Sequence, residues 1–407
     1  MSRTAVTQRA LALEVAVAFA CLPLFPTFIL LTPASVPGIS LLPQAFAPVL
    51  LASMGALGVL WGALMLFAER VEQPMLLPLS LWLASALLAA ALGFAPLYGF
   101  IFLGIFLLGI MWHAGINASY AGPGNANAIF GAFLGSATLA FLVAIATVLL
   151  HRPAAIYAAQ HGRAVGSFIL PGELAGYVLI VVPLALALAS LARQRWLRAL
   201  AACTALSGAI ALALSFSRTG WVAAGCAGVA YLLLVVRDRR KQLSFGLAIA
   251  ALTAIAVTIA FNAHHDPSEN YTRLSIWQTA LGMVRRFPLT GSGPFTFGIL
   301  YAHLRLPDGD AFAYHAHDLY LTVLAETGIV GLLAMVAAWL RFGREWARRF
   351  AAADARARIL SGAIVAGLVG TLVQGLIDTS TLVLFGLWLP TMALALASAR
   401  YGLGDSA

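Results

Sequence analysis

The residues best suited to chemistry in this chain stand in His315-Ala316-His317-Asp318-Leu319, a stretch that runs on through Glu326, Gly328 and Gly331. Two histidines fall where a polar segment enters an apolar run, and Asp318 can accept from the first free N–H groups of the helix that follows. The positive end of a helix disfavours an imidazolium, so a histidine held there is suited to take a proton from a substrate hydroxyl. A plainer role is open too, since histidines at a membrane border also hydrogen-bond headgroups or backbone.

Arg218, in Ser217-Arg218-Thr219-Gly220-Trp221, interrupts an apolar hairpin. An arginine at membrane depth costs roughly 2.5–3.5 kcal/mol on insertion scales, so it calls for an anionic partner. The hairpin has none of its own. Glu173, Glu326, Asp378 or a lipid phosphate can fill that role, and snorkelling to the interface is the alternative. Arg273 and Arg163 lie in neighbouring polar stretches. A guanidinium donates paired hydrogen bonds and keeps its charge, so three of them near one base suit a diphosphate. Arg285 and Arg286, before Phe287 and Pro288, read as interfacial anchors. Asp308-Gly309-Asp310 has the spacing of an acidic pair for Mg²⁺, but after Pro307 it is more simply a turn. His264-His265-Asp266 lacks the paired spacing of a built metal site. Neither a metal nor a cofactor is expected.

The elements that carry these residues follow from composition. The chain has 407 residues, 62% of them hydrophobic and 10% charged, with a mean hydropathy of +0.93. A soluble domain is about 25% charged, so most of this chain cannot face water. Its apolar runs are near twenty residues long and rich in Leu and Ala, which excludes the alternating ten-residue segments of a β-barrel. The fold class expected is an all-α polytopic membrane protein of about 12 transmembrane helices. The spans fall near 11–31, 43–68, 75–93, 96–112, 126–150, 168–192, 196–215, 219–236, 243–261, 319–340, 357–378 and 380–400. The first is read as an uncleaved span rather than a secretory signal, because Glu14 and Pro23 interrupt it.

Alternating sides from a cytoplasmic start puts 17 of the 24 basic residues inside and seven outside. The positive-inside rule therefore accounts for most of the net charge of +9 and places both termini in the cytoplasm. No nucleic-acid partner is implied. Cys21, Cys203 and Cys226 all lie in apolar runs, so no disulfide framework follows. Three regions result: residues 1–261, with nine spans and a short outer interfacial segment at 151–167; a large outer loop at 262–318; and residues 319–407, with three spans and a cytoplasmic end. In the loop, Asp266 and Ser268 are candidate caps for a helix with Tyr271, Leu274, Trp277, Leu281 and Val284 on its apolar face. That helix is expected to lie on or near the bilayer. Gly291, Gly293 and Pro294 end it, and a shorter helix is expected over Thr296–Arg305. No internal repeat is evident, and the polar residues Asn117, Asn125 and Asn127 cluster near one loop. A transporter's path across both membrane halves is therefore not supported.

With these residues in view, the chain resembles the O-antigen ligase and polymerase superfamily of bacterial envelope glycosyltransferases. His317 followed by Asp318, nine residues and Gly328-Ile329-Val330-Gly331 is similar to the family's histidine motif, with Asp318 in place of its usual amide or hydroxyl. Gly166-Ser167-Phe168 is similar to its Gly-x-Phe segment, although Leu170-Pro171-Gly172-Glu173 stands where an Asn is expected. Ser217-Arg218-Thr219 resembles its Ser-Arg motif. Arg273 with Trp277, then Pro288-Leu289-Thr290-Gly291-Ser292-Gly293, resembles its Arg-x3-Trp and Pro-Leu-x-Gly-x-Gly. The resemblance spans about residues 163–335.

The resemblance implies a GT-C-like glycosyltransferase of the bacterial inner membrane with a periplasmic active site. Such an O-antigen ligase moves O-antigen from undecaprenyl diphosphate to lipid A-core without a metal; attack by the acceptor opposite the diphosphate in one displacement would invert the anomeric centre. The family's ligases have one large outer loop, as here, and its polymerases usually two. A polymerase and a protein O-oligosaccharyltransferase are the alternatives. The catalytic residues so implied are His317 as base with Arg218 and Arg273, and Arg218, Arg273 and Arg163 bind the diphosphate among membrane lipids. Whether Asp318, Glu173, Glu326 and His303 join the site stays open.

Overall fold

The computed structural model describes residues 3–24, 46–67, 71–120, 125–264, 268–307, 309, 313–378 and 388–401. The chain is all-α, and among the described residues there is no strand. The helices are α1 (Arg3–Cys21), α2 (Phe46–Phe67), α3 (Leu76–Leu92), α4 (Pro96–Ser119), α5 (Asn125–Leu150), α6 (Ala154–Ala159), α7 (Pro171–Leu191) and α8 (Arg195–Ser215). They continue as α9 (Arg218–Val235), α10 (Arg239–His264), α11 (Ser268–Arg286), α12 (Phe297–Leu304), α13 (Leu319–Ala352), α14 (Ala355–Gln374) and α15 (Trp388–Tyr401). Nine of the described helices are long and apolar enough to cross a membrane. Each of the twelve spans read from the sequence overlaps one described helix, with α2, α3 and α15 as the three beyond those nine.

The ends differ from the sequence reading. The first helix already includes Arg3, eight residues before the expected span, while residues 379–387, where the last span is expected to start, lie outside the described residues. Hydropathy alone stops where polar residues begin, whereas helical hydrogen bonding runs on through them. The interfacial segment contributes one short helix, α6, whose Ile156 is buried. In α11 Ile276, Ala280 and Met283 are buried, and Trp277 and Val284 of the apolar stripe pack beside them. Tyr271, Leu274 and Leu281 point outward. These residues pack against α12 and α13, and the three outward side chains leave an apolar surface on the other side of the helix.

The helices that matter for function are α7, α8, α9 and α14, which pack on one another, with α10 outermost against α9. Leu243, Leu247 and Leu252 on α10 are exposed, as a lipid-facing helix requires. Lipid tails compete equally well for apolar side chains, so close backbone approach holds such helices together. A Cβ at Gly220 would press on Ala175, one at Gly367 on the Leu179 carbonyl, and one at Gly370 on the Ala223 carbonyl. These small residues let α7, α9 and α14 converge. At one face of the bundle α7, α9 and α13 begin, and α8 and α14 end.

Candidate functional site

At that face the chain turns sharply between α8 and α9. Phe216 takes a left-handed conformation, φ 48°, and the Ser217 hydroxyl accepts from Gly220 N–H at 3.1 Å, capping α9. The cap sets Arg218 in the first helical position, where backbone N–H groups already favour an anion. Its guanidinium lies 5.7 Å from the centre of the Phe261 ring on α10. Arg163 is clipped alongside, its Nε donating to the Ser215 carbonyl at 2.9 Å, while Ala164 N–H donates to Leu214 O.

Asp378, just past α14, completes this face. Arg163, Arg218, Arg273, Ser217, Thr219 and Asp378 line one small polar cavity of about 60 Å³. The sequence offered Arg218 three acids, and Asp378 is the one that shares its cavity. Glu173 Oε2 instead accepts from Ile169 N–H at 3.0 Å, and Glu326 Oε1 accepts from Phe297 N–H at 2.9 Å. Both carboxylates therefore serve the chain leading into a helix. Gly172 lies against Asp378 so closely that a Cβ there would overlap the carboxylate, and Gln374 Nε2 holds the Gly172 carbonyl at 2.7 Å.

His317 meets the cavity through Asp378, with Nδ1 and Asp378 Oδ1 3.3 Å apart. Sixty-one residues separate them in the chain. The Leu319 N–H donates to the Gly375 carbonyl at 2.7 Å, which joins the start of α13 to the end of α14 and fixes the pair. Asp318 caps α13, Oδ1 accepting from Leu321 N–H at 2.7 Å, and Thr322 accepts from Ala316 N–H at 3.0 Å. His317 itself is left-handed, φ 51°, a conformation that costs energy in a non-glycine residue and is held by these bonds. Its side chain is about a quarter exposed.

His315 supports the turn from below. Its Nδ1 accepts from the His317 N–H at 3.1 Å, so the proton of the neutral ring resides on Nε2. Burial, with His317 and Arg273 nearby, pushes this imidazole down to about 3. Burial works in the opposite sense on Asp378, but the hydrogen bond to His317 and the Arg273 charge outweigh it and hold the carboxyl below its ordinary value. Asp378 is thus an anion facing three guanidinium groups and one histidine.

A second junction fixes the frame. α13 breaks at Gly328, φ 64° and ψ −171°. The carbonyls of Ala325 and Glu326, freed by the break, accept from Ser292 and Gly293 N–H at 2.9 Å each. Ile329 N–H in turn donates to Pro288 O at 3.0 Å. The two glycine motifs met in the sequence are therefore one structure. A Cβ at Gly291 or Gly328 would collide with the backbone of the other segment.

The structure thus brings His317, Arg163, Arg218 and Arg273 to one place and adds Asp378 and His315. Asp378 as partner of His317 was missed because nothing local links them; an acid closing a span on the outer side was the available signal. His303 is exposed and set edge-on to Phe94 at 6.0 Å, away from this cavity. Arg285 and Arg286 are exposed at the end of α11. Asp308, Asp310, His265 and Asp266 lie outside the described residues, as does the side chain of His264. Among the described residues no three His, Cys, Asp or Glu side chains gather at metal-ligand spacing.

Residues 203–336 match the family described as O-antigen ligase. The matched stretch contains Arg218, Arg273 and His317; Arg163 and Asp378 lie on either side of it. No curated protein matches the chain.

Proposed function

We propose that this chain, whose residues 203–336 match the O-antigen ligase family of glycosyltransferase-like membrane enzymes, is an O-antigen ligase. It moves O-antigen from undecaprenyl diphosphate to lipid A-core at the periplasmic face of the inner membrane. Both of its termini are cytoplasmic.

The chemistry needs a base and an anion site side by side. A sugar hydroxyl ionises far above neutral pH, so its proton must leave as its oxygen attacks the anomeric carbon. His317 takes that proton on Nε2 while Asp378 engages Nδ1, an arrangement that orients the ring and stabilises the imidazolium formed. The new C–O bond forms as the bond from the anomeric carbon to the diphosphate oxygen breaks. The electron pair leaves with the diphosphate, and Arg163, Arg218 and Arg273 balance the growing charge. Attack opposite the leaving group inverts the anomeric centre.

The observation that carries this reading is Asp378, which hydrogen-bonds His317 and also lines the cavity of the three arginines. Base and anion site are thereby within one residue of each other. A polymerase or a protein O-oligosaccharyltransferase would use the same groups with a different acceptor. The single large loop between α10 and α13 favours the ligase. Replacing His317 by Ala in cells that make O-antigen separates these outcomes. The ligase reading predicts loss of surface O-chains with full-length polymer kept on the lipid carrier. Collapse to single repeats would identify a polymerase, and unchanged surface glycan would remove His317 from the chemistry.

A further inference from the structure

His315 is 2% exposed, and its Nε2 has no hydrogen-bond partner among the described residues. A buried N–H with nothing to bind lowers stability, and an apolar side chain of similar size would carry no such cost. Packing alone therefore does not account for a histidine here.

The other ring nitrogen does. Nδ1 accepts from the N–H of His317, two residues on, at 3.1 Å. An Asn or Asp side chain closes an Asx-turn by the same bond, made here by an imidazole. It acts on a strained position, because His317 has φ 51° and a left-handed non-glycine residue persists only where its surroundings over-determine it. The neighbouring N–H groups are bound elsewhere, Ala316 to Thr322 Oγ1 at 3.0 Å and Leu319 to the Gly375 carbonyl at 2.7 Å. Among the described residues, His315 alone holds the N–H of His317. The two rings also meet edge to face, with centres 4.6 Å apart. Burial pushes His315 down to about 3, so its Nδ1 lone pair is available at neutral pH. Asp378 and His315 thus fix different things: the first sets the rotation of the His317 ring, the second the backbone that carries it.

We infer that His315 is a positioning residue for glycosyl transfer, its Nδ1 lone pair holding His317 in the left-handed turn from which the base meets the acceptor hydroxyl. The inference rests on the reading of His317 as that base. The cavity of the three arginines is lined by other residues, so the effect of His315 falls on the chemical step and not on donor binding.

The two side-chain amides test this, because they place their oxygens differently. An Asn at position 315 puts its oxygen where Nδ1 stands, and a Gln puts it one bond further out, near the place of Nε2. The assay is transfer by the purified full chain from an undecaprenyl-diphosphate-linked glycan to lipid A-core. His315→Asn is expected to keep kcat within about threefold of wild type, whereas His315→Gln and His315→Ala lower it about 10–100-fold with the donor KM unchanged. A space-filling role predicts the reverse order of the amides, since Gln is nearer to histidine in size. His315→Ala brings no polar group of its own and guards against a folding defect in His315→Gln. Equal rates for the Asn and Gln variants, or an Asn variant as slow as Ala, overturn the positioning role. A raised donor KM with kcat unchanged would assign His315 to donor binding and overturn it as well. His317→Ala in the same assay separates the two readings. If it is slow while all three His315 variants keep the wild-type rate, the positioning role alone falls; if it transfers at the wild-type rate, the base falls and the positioning role with it.

Discussion

At the scale of single residues, the site depends on what Asp378 does for His317. Its carboxylate lines the cavity of the three arginines but bears the wrong charge to bind the diphosphate proposed there, so on the proposed function its role is to orient the imidazole. Asp378→Asn should therefore lower kcat by about 10²-fold or more, with the donor's KM unchanged or reduced because a negative charge has left the anion site. Steady-state kinetics on purified protein gives that split. A merely structural Asp378 would raise KM and lower the yield of folded protein instead. His315 makes a separate prediction about pH. Unfolded, it takes a proton near pH 6.5; folded, it is held neutral down to about 3. The unfolded state then binds more protons in between, so this contribution to stability is complete above pH 6.5 and is lost as pH falls toward 3. The loss amounts to at most about 1.4 kcal/mol per pH unit. Melting in detergent should fall less steeply between pH 7 and 5 for His315→Gln than for wild type. Parallel slopes would mean that the imidazole titrates in the fold. His317 and the arginines were legible in the sequence because each carries a local motif or breaks an apolar run. The partnership of His317 with Asp378 was not, since it forms across two helices that meet only when folded.

At the scale of elements, the site is held by two junctions where helices end or break. One ties Leu319 to Gly375 and the other docks Pro288–Gly293 on the break in α13. The second needs glycine twice, because Gly291 and Gly328 have φ near +70° and each faces backbone with no room for a Cβ. Gly328→Ala should cost about 1–3 kcal/mol from conformation alone, with further loss from the collision. It should lower the melting temperature of the purified protein and its transfer rate together. A full-strength Gly328→Ala protein would show the junction to be dispensable. The glycines were visible in the sequence as breakers, but a list of breakers does not say that two of them close on each other. The residues of α11 that pack on α12 and α13, Ile276, Ala280 and Met283, were not singled out in the sequence, because only the neighbouring helices decide which side chains of α11 are covered by protein.

At the scale of the whole molecule, the spans were readable because a run of about twenty apolar residues has few other uses. Their ends were less so: α13 runs for 34 residues, about 50 Å, and carries Arg341, Arg344, Arg348 and Arg349 well past the apolar stretch. The basic residues thus divide in two. On the proposed topology most lie on the cytoplasmic side, and Arg163, Arg218 and Arg273 converge on one end of the bundle around Asp378. That convergence lies next to a histidine, and the proposed transfer chemistry depends on it. The most direct measurement is the rate at which purified wild-type and His317→Ala proteins transfer glycan from an undecaprenyl-diphosphate donor to lipid A-core, with donor binding measured in parallel. The expected result is a fall of about 10²–10⁴-fold in kcat with donor binding intact. Transfer by His317→Ala at the wild-type rate would contradict it.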